Sequence, residues 1–171
     1  MSDERESYSD AYAARHGGFA LIPAAHVFLI EHGADGDRVL LQRRSATDYY
    51  DGWWAASAAG HVEPGETAYE AAVRETAEEL GVVVERLRPL TTVHRRGPTA
   101  PDGAQRPAEQ RVDFYFQATG WAGEPRPADG TADALAWFDL TELPERTVHH
   151  ERHVLELFRA GSLPVITDFG F

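Results

Sequence analysis

Between Gly60 and Val82 the chain spells out a turn, a helix and a stop in consecutive residues, and no other stretch restricts the fold as strongly. Pro64-Gly65 forces a turn, and Gly60 lets the backbone approach a ligand closely. Thr67 can cap a helix, and Glu70 three residues on completes a capping box, so the spacing predicts a helix over Thr67 to Leu80. Gly81 then ends it in a left-handed conformation. Within the helix, Glu75, Glu78 and Glu79 stand at i, i+3 and i+4 and are expected on one face. That placement is unfavourable on its own. Like charges at i,i+4 repel by a few tenths of a kcal/mol, and anions near a helix C-terminus oppose the macrodipole by roughly 0.3–1 kcal/mol each. A divalent cation reverses the sign of the interaction, and hard oxygen ligands suit Mg²⁺ or Mn²⁺. Arg74, with Glu70 and Glu78 four residues to either side, is expected to neutralise part of the cluster. The competing reading is a solvated charged face held by intrahelical pairs.

The flanks supply strands. Phe19 to Ile30 is apolar and β-prone, His32 to Asp37 is a turn, and Arg38 to Arg44 reads as the second arm of a hairpin. Short strands follow over Trp53 to Ala59, Val82 to Val84, Leu87 to Val93, Arg111 to Trp121 and Leu135 to Phe138. A second helix runs from Glu151 to Ala160 and stops at Gly161, and residues 95–109 form a long loop rich in Gly and Pro. Strands interrupted by two distant helices predict an α/β fold, a mixed β-sheet sandwiched between α-helices in an α/β/α layout. Residues 1–18 read as a polar arm and residues 19–171 as one domain, a length that can bury a real core. The absence of cysteine excludes disulfides, thiolate zinc sites and thiol nucleophiles. A net charge of −12 repels polyanions, so nucleic acid and anionic membranes are poor partners, while a small phosphorylated molecule is still admitted by local cations or a bound metal. No apolar run approaches a bilayer span and the polar N-terminus does not read as a secretory signal, so a cytoplasmic location is expected.

Gly60, Glu66, Arg74, Glu75, Glu78, Glu79, Gly81 and Val82 together match the pattern G-x5-E-x7-R-E-U-x-E-E-x-G-U, with U a bulky aliphatic residue. In this the chain resembles the Nudix hydrolase family. Thr76 departs from the usual aliphatic residue but keeps a methyl to pack. The resemblance implies a Nudix fold and Mg²⁺-dependent cleavage of a phosphoanhydride bond in a nucleoside diphosphate derivative. Glu75, Glu78 and Glu79 would bind the metal together with the Gly60 carbonyl. Arg74 would orient the glutamates, with Glu66 in the same network. Glu78 is the chosen general base, and Glu109 or Asp113 stands as the alternative, because some members draw the base from a distant loop. Many proteins of this fold form dimers, so a homodimer stands beside a monomer.

Outside Gly60 to Val82 the residues speak less distinctly. Arg43 and Arg44 could clamp a substrate phosphate or simply charge an edge strand. His61 could touch phosphate or metal. One or two of Trp53, Trp54, Phe114, Trp121 and Trp137 could stack a base, the others being core, and Trp137 is the substrate-site choice. His149-His150-x-x-His153 has metal-compatible spacing, and a solvated helix start is the preferred reading. The region after Trp121 is similar to triphosphate-cleaving members, with Asp129 or Asp133 as a base-reading acid, which makes a (deoxy)nucleoside triphosphate the expected substrate. Pro98 keeps an ADP-ribose or nucleotide-sugar pyrophosphatase as the alternative. Ser57 to His61 also resembles Nudix-fold isopentenyl diphosphate isomerases, which depend on a cysteine that this chain lacks. A nucleotide-sensing module without turnover is the remaining rival.

Overall fold

The computed structural model describes residues 14–15, 21–34, 36–47, 49–97 and 110–171. The expected arm over residues 1–18, apart from the exposed helical pair Ala14 and Arg15, lies outside the described residues, as do Pro98 and Glu109.

After that pair, eight strands and two helices follow in the order β1 Ile22–Gly33, β2 Gly36–Arg44, β3 Trp54–Ala55, β4 Ala58–His61, α1 Ala68–Leu80, β5 Val83–Arg96, β6 Gln110–Ala122, β7 Ala132–Asp139, α2 His149–Arg159 and β8 Ile166–Phe169. Two short strands, β3 and β4, replace the one expected over Trp53 to Ala59. The two strands expected over Val82 to Val93 are one continuous strand, β5, with register shifts near Arg86 and between Pro89 and Thr91.

β1 organises the sheet. It pairs in parallel with β6, and on its other side antiparallel first with β4 and then with β2. The path runs β3-β2-β1-β6-β5-β8, with β7 also paired to β2. β1 reads as a near-continuous apolar run because both of its faces are covered. Ala25, Val27 and Leu29 pack with Ala71, Ala72 and Leu80 of α1. Phe28 and Ile30 pack with Val154 and Leu155 of α2 on the opposite face. The alternation along one strand thus builds both cores, and the α/β/α layout is the observed one. Among the described residues no helix is long and apolar enough to cross a membrane.

Local signals fix α1. Thr67 accepts from the Glu70 amide, the Glu70 side chain accepts from the Thr67 amide, and Gly81 sits at φ 68°. The last carbonyls of α1 are taken up by a returning segment, with the Arg126 and Ala128 amides donating to Leu80 and Glu79 at 3.1 and 2.9 Å. α2 is anchored differently. Its Glu151 carboxylate reaches out of the first turn to the Ala56 amide at 2.6 Å, which ties the helix to the segment before β4.

Candidate active site

The register set by the capping box decides where each carboxylate of α1 points. Ala72, Thr76 and Glu79 face the sheet and are buried. Glu79 accepts from Gln42 Nε2 at 2.8 Å and from the Ala59 amide at 3.1 Å. The side chain of Glu78 is 58% exposed and that of Glu75 only 13%. The expectation of one common face is corrected accordingly: i, i+3 and i+4 span an arc, and the sheet lies beneath one end of it. Burial pushes Glu79 up to about 7, against the hydrogen bonds from Gln42 and Ala59. Burial also raises Glu75, opposed by the Arg74 guanidinium.

Gly60 meets this helix closely. A Cβ at Gly60 would lie 1.9 Å from Glu75 Oε1, so glycine alone lets β4 and the carboxylate share that space. Arg74 grips Glu66 with two bonds of 2.9 and 3.0 Å, and reaches Glu75 at 2.6 Å, Glu78 at 3.2 Å and the His61 carbonyl at 3.1 Å. The bonds from Arg74, then from the Glu63 amide, hold Glu66 below the usual carboxylate range. Glu70, expected as a further partner of Arg74, is instead engaged in the capping box. One arginine therefore serves Glu66, Glu75 and Glu78, while Glu79 adds a carboxylate that Arg74 does not reach. A hard-oxygen donor set with such an excess of negative charge fits Mg²⁺ or Mn²⁺. Gly60→Ala is expected to push the Glu75 carboxylate aside rather than unfold the chain, since the clash is with the end of a side chain. Misplacing such a group by about 1 Å costs on the order of 10²-fold in turnover. Steady-state kinetics beside a thermal melt checks this, and wild-type turnover in the variant would refute it.

Beyond Gly60, on the face of the sheet that carries α2, lies a cavity of about 340 Å³. Its walls include His26, Arg44, Tyr49, His61, Arg95 and Arg111, closed by His150 and Glu151 of α2. Arg95 is buried and donates to Asp113 at 2.6 Å. His26 lies 3.3 Å from Glu151 and 3.7 Å from Asp113, the second too long for a hydrogen bond. Burial alone would lower His26, but Asp113 and then Glu151 outweigh it and raise it to about 9. His150 is held well below its ordinary value by burial, then by Arg95 and His26. Burial and then Arg111 lower His61, whose Nε2 lies 2.7 Å from Arg111 Nη1.

The remaining expected residues divide. Arg44 and His61 line the cavity, with Arg44 donating to the Tyr49 carbonyl at 2.7 Å and lying over the Tyr49 ring. Arg43 points elsewhere and pairs with Asp133 at 2.7 Å. Trp137 stacks on Trp121 beneath Arg38 and packs against the α1 core, away from the cavity lining. Asp129 closes a local turn onto Thr131. Asp113, the alternative base, is corrected: it lies on β6 rather than a loop, is fully buried, and is committed to Arg95. His150 is buried rather than solvated, because α2 begins two residues earlier than its sequence suggests and turns this position inward. Sequence reasoning missed His26, Arg95 and Arg111 as a group. The signal they left was charge inside strand patterns: a histidine within the apolar run of β1, the run His94-Arg95-Arg96 at the end of β5, and Arg111 at the start of β6.

Comparison with known proteins bears on the fold as a whole. The family model described as the NUDIX domain matches residues 21–158. The chain is 32% identical over 139 residues to the isopentenyl-diphosphate Delta-isomerase of Streptomyces griseus, covering 81% of this chain and 67% of that protein. It is 33% identical to the human 8-oxo-dGDP phosphatase NUDT18 over 77% of this chain and 36% of that protein. Among solved structures, a MutT NUDIX hydrolase from Burkholderia pseudomallei superposes with a TM-score of 0.65 at 30% identity, covering 80% of this chain and 97% of the other.

Proposed function

The chain belongs to the Nudix family, and from that membership we propose that it is a Mg²⁺- or Mn²⁺-dependent hydrolase of a phosphoanhydride bond in a nucleoside diphosphate derivative, with a (deoxy)nucleoside triphosphate as the leading substrate. The observation that carries the reading is the meeting of Gly60 with the Glu75 carboxylate, which Arg74 ties to Glu78, with Glu79 next along the helix. In this reading Glu75, Glu78, Glu79 and the Gly60 carbonyl would hold the metal. A divalent cation there supplies neutralisation of charge developing on the phosphate. Glu78 takes a proton from the attacking water, since it is the most exposed carboxylate of the three and its side chain bonds only to Arg74 among the described residues. Arg74 holds Glu75 and Glu78 in place through its grip on Glu66. Residues 19–171 are taken as one catalytic domain acting on the cytoplasmic nucleotide pool.

A second reading is favoured by one observation, the relationship to a protein named as an isopentenyl-diphosphate Delta-isomerase. The resemblance ties that chemistry to a cysteine, and this chain has none. A panel of nucleoside triphosphates, nucleotide sugars, ADP-ribose and isopentenyl diphosphate, each with Mg²⁺ or Mn²⁺, separates the readings. Release of pyrophosphate or orthophosphate from a nucleotide is expected. Isomerisation without phosphate release, or no turnover of any member, would overturn the proposal.

A further inference from the structure

The cavity on the α2 face carries a feature that the glutamate site does not explain. Arg95 and Arg111 are direct cross-strand partners on β5 and β6, and both line it. Like charges placed directly opposite one another destabilise an antiparallel pair. Arg44 approaches from the end of β2, and His26 presents Nε2, a buried atom with no hydrogen-bond partner among the described residues. The carboxylates facing this group are Asp113 and Glu151, each already engaged with a cation of the cluster. The walls are thus cationic within a chain of net charge −12. The acidic groups of α1 lie on the opposite face of the sheet, and the two regions meet at Gly60 and His61 on β4, which pairs only with β1 among the described strands.

We propose that this cavity is a phosphate-binding subsite, in which Arg111 and Arg44 hold a phosphate of the substrate lying beyond the linkage that is cleaved at α1. An anion between Arg95 and Arg111 turns their repulsion into two attractions, as a cation does for the glutamates. Arg111 and Arg44 supply the contacts through the N–H groups left over from His61 and the Tyr49 carbonyl, since neither is paired with a carboxylate among the described residues as Arg95 is with Asp113. His26, Asp113 and His150 place potential ligand atoms within 4.8 Å of one another, but a divalent cation there would sit against the Arg95 guanidinium. The charge count favours the anion. Only the ownership of the phosphate rests on the hydrolase reading; the subsite does not.

The test uses metal-free protein with inorganic pyrophosphate as the probe, followed by calorimetry. Saturable binding is expected, weakened about tenfold or more in Arg111→Gln and in Arg44→Gln, as the loss of a charge-assisted hydrogen bond predicts. Arg38→Gln, a cation outside the cavity, should leave it unchanged, and so should Glu78→Gln. Absence of metal-free binding, or equal binding by both cavity variants, would overturn the proposal. Manganese binding that His150→Gln abolishes would overturn it too, by assigning the cluster to a cation. With any substrate that is turned over, Arg111→Gln should raise KM about tenfold and leave kcat within about threefold, since uniform binding is lost. Unchanged KM beside lost pyrophosphate binding would refute the assignment of the phosphate to the substrate. Because the binding arm needs no turnover, it decides for or against the subsite even in a chain inactive toward the whole panel.

Discussion

Glu78→Gln is expected to lower turnover by about 10³-fold, the middle of the range for a positioned proton acceptor, while the melting temperature stays close to that of wild type. The side chain is 58% exposed, and it bonds to Arg74, four residues earlier on the same helix. Such helical pairs contribute only about 0.3–0.5 kcal/mol, so the fold has little to lose. Glu79→Gln separates stability from function for a different reason. Glu79 is buried against Gln42 and the Ala59 amide, and burial penalises its charged form. A neutral amide there removes that penalty, so the metal-free variant should melt no lower than wild type unless the Gln42 contact is lost, and activity should still fall. Comparable turnover in Glu78→Gln and wild type, measured on the best substrate of the panel, would sink both the base and the metal assignments.

The contrast between these neighbouring glutamates shows what the sequence could and could not convey. The ends of α1 were legible. Thr67, Glu70 and Gly81 start and stop α1 through contacts within a few residues, and the structure reproduces them. The apolar run of β1 announced a strand, and the spacing of two helices announced the layered architecture. What could not be read was which side of α1 the sheet would cover, because that depends on Gln42 and Ala59, 37 and 20 residues away from Glu79. The cavity was hidden for the same reason. His26, Arg95, Asp113 and Glu151 come from three strands and a helix, with 125 residues between His26 and Glu151. Each is a single charged residue in an ordinary pattern, and only the parallel pairing of β1 with β6 and the antiparallel pairing of β5 with β6 brings them together. Arg43 and Arg44 show the limit most plainly. They are adjacent in sequence, yet one pairs with Asp133 and the other lines the cavity, because the pairing of β2 with β7 shifts register between them and breaks the simple alternation.

Asp113→Asn should be strongly destabilising, costing about 3–5 kcal/mol, the usual cost of removing one partner from a buried ion pair. Asp113 is fully buried, and its loss leaves the buried Arg95 guanidinium without its carboxylate at 2.6 Å and His26 without its neighbour at 3.7 Å. Asparagine keeps the shape and one acceptor, so the effect is one of charge rather than of packing. The same pair gives wild-type stability a dependence on pH with a definite sign. His26 is raised from 6.5 to about 9, so its contribution is fully present below about 6.5 and is lost as the pH rises through 9. That window is worth roughly 3 kcal/mol at most. Asp113 is lowered from 3.8, its burial outweighed by His26 and Arg95, so its contribution is present above that value and is lost on acidification. Urea unfolding across the alkaline window should therefore show wild-type stability falling steadily, and a flatter profile in Asp113→Asn, where the strongest influence raising His26 is gone. A variant within about 1 kcal/mol of wild type, below the range for a broken buried pair, would show that Arg95 and His26 do not depend on this carboxylate. The alkaline loss also bears on the cavity: His26 gives up its proton in that window, one of the cations facing the proposed phosphate disappears, and anion binding should weaken over the pH range in which the fold itself does.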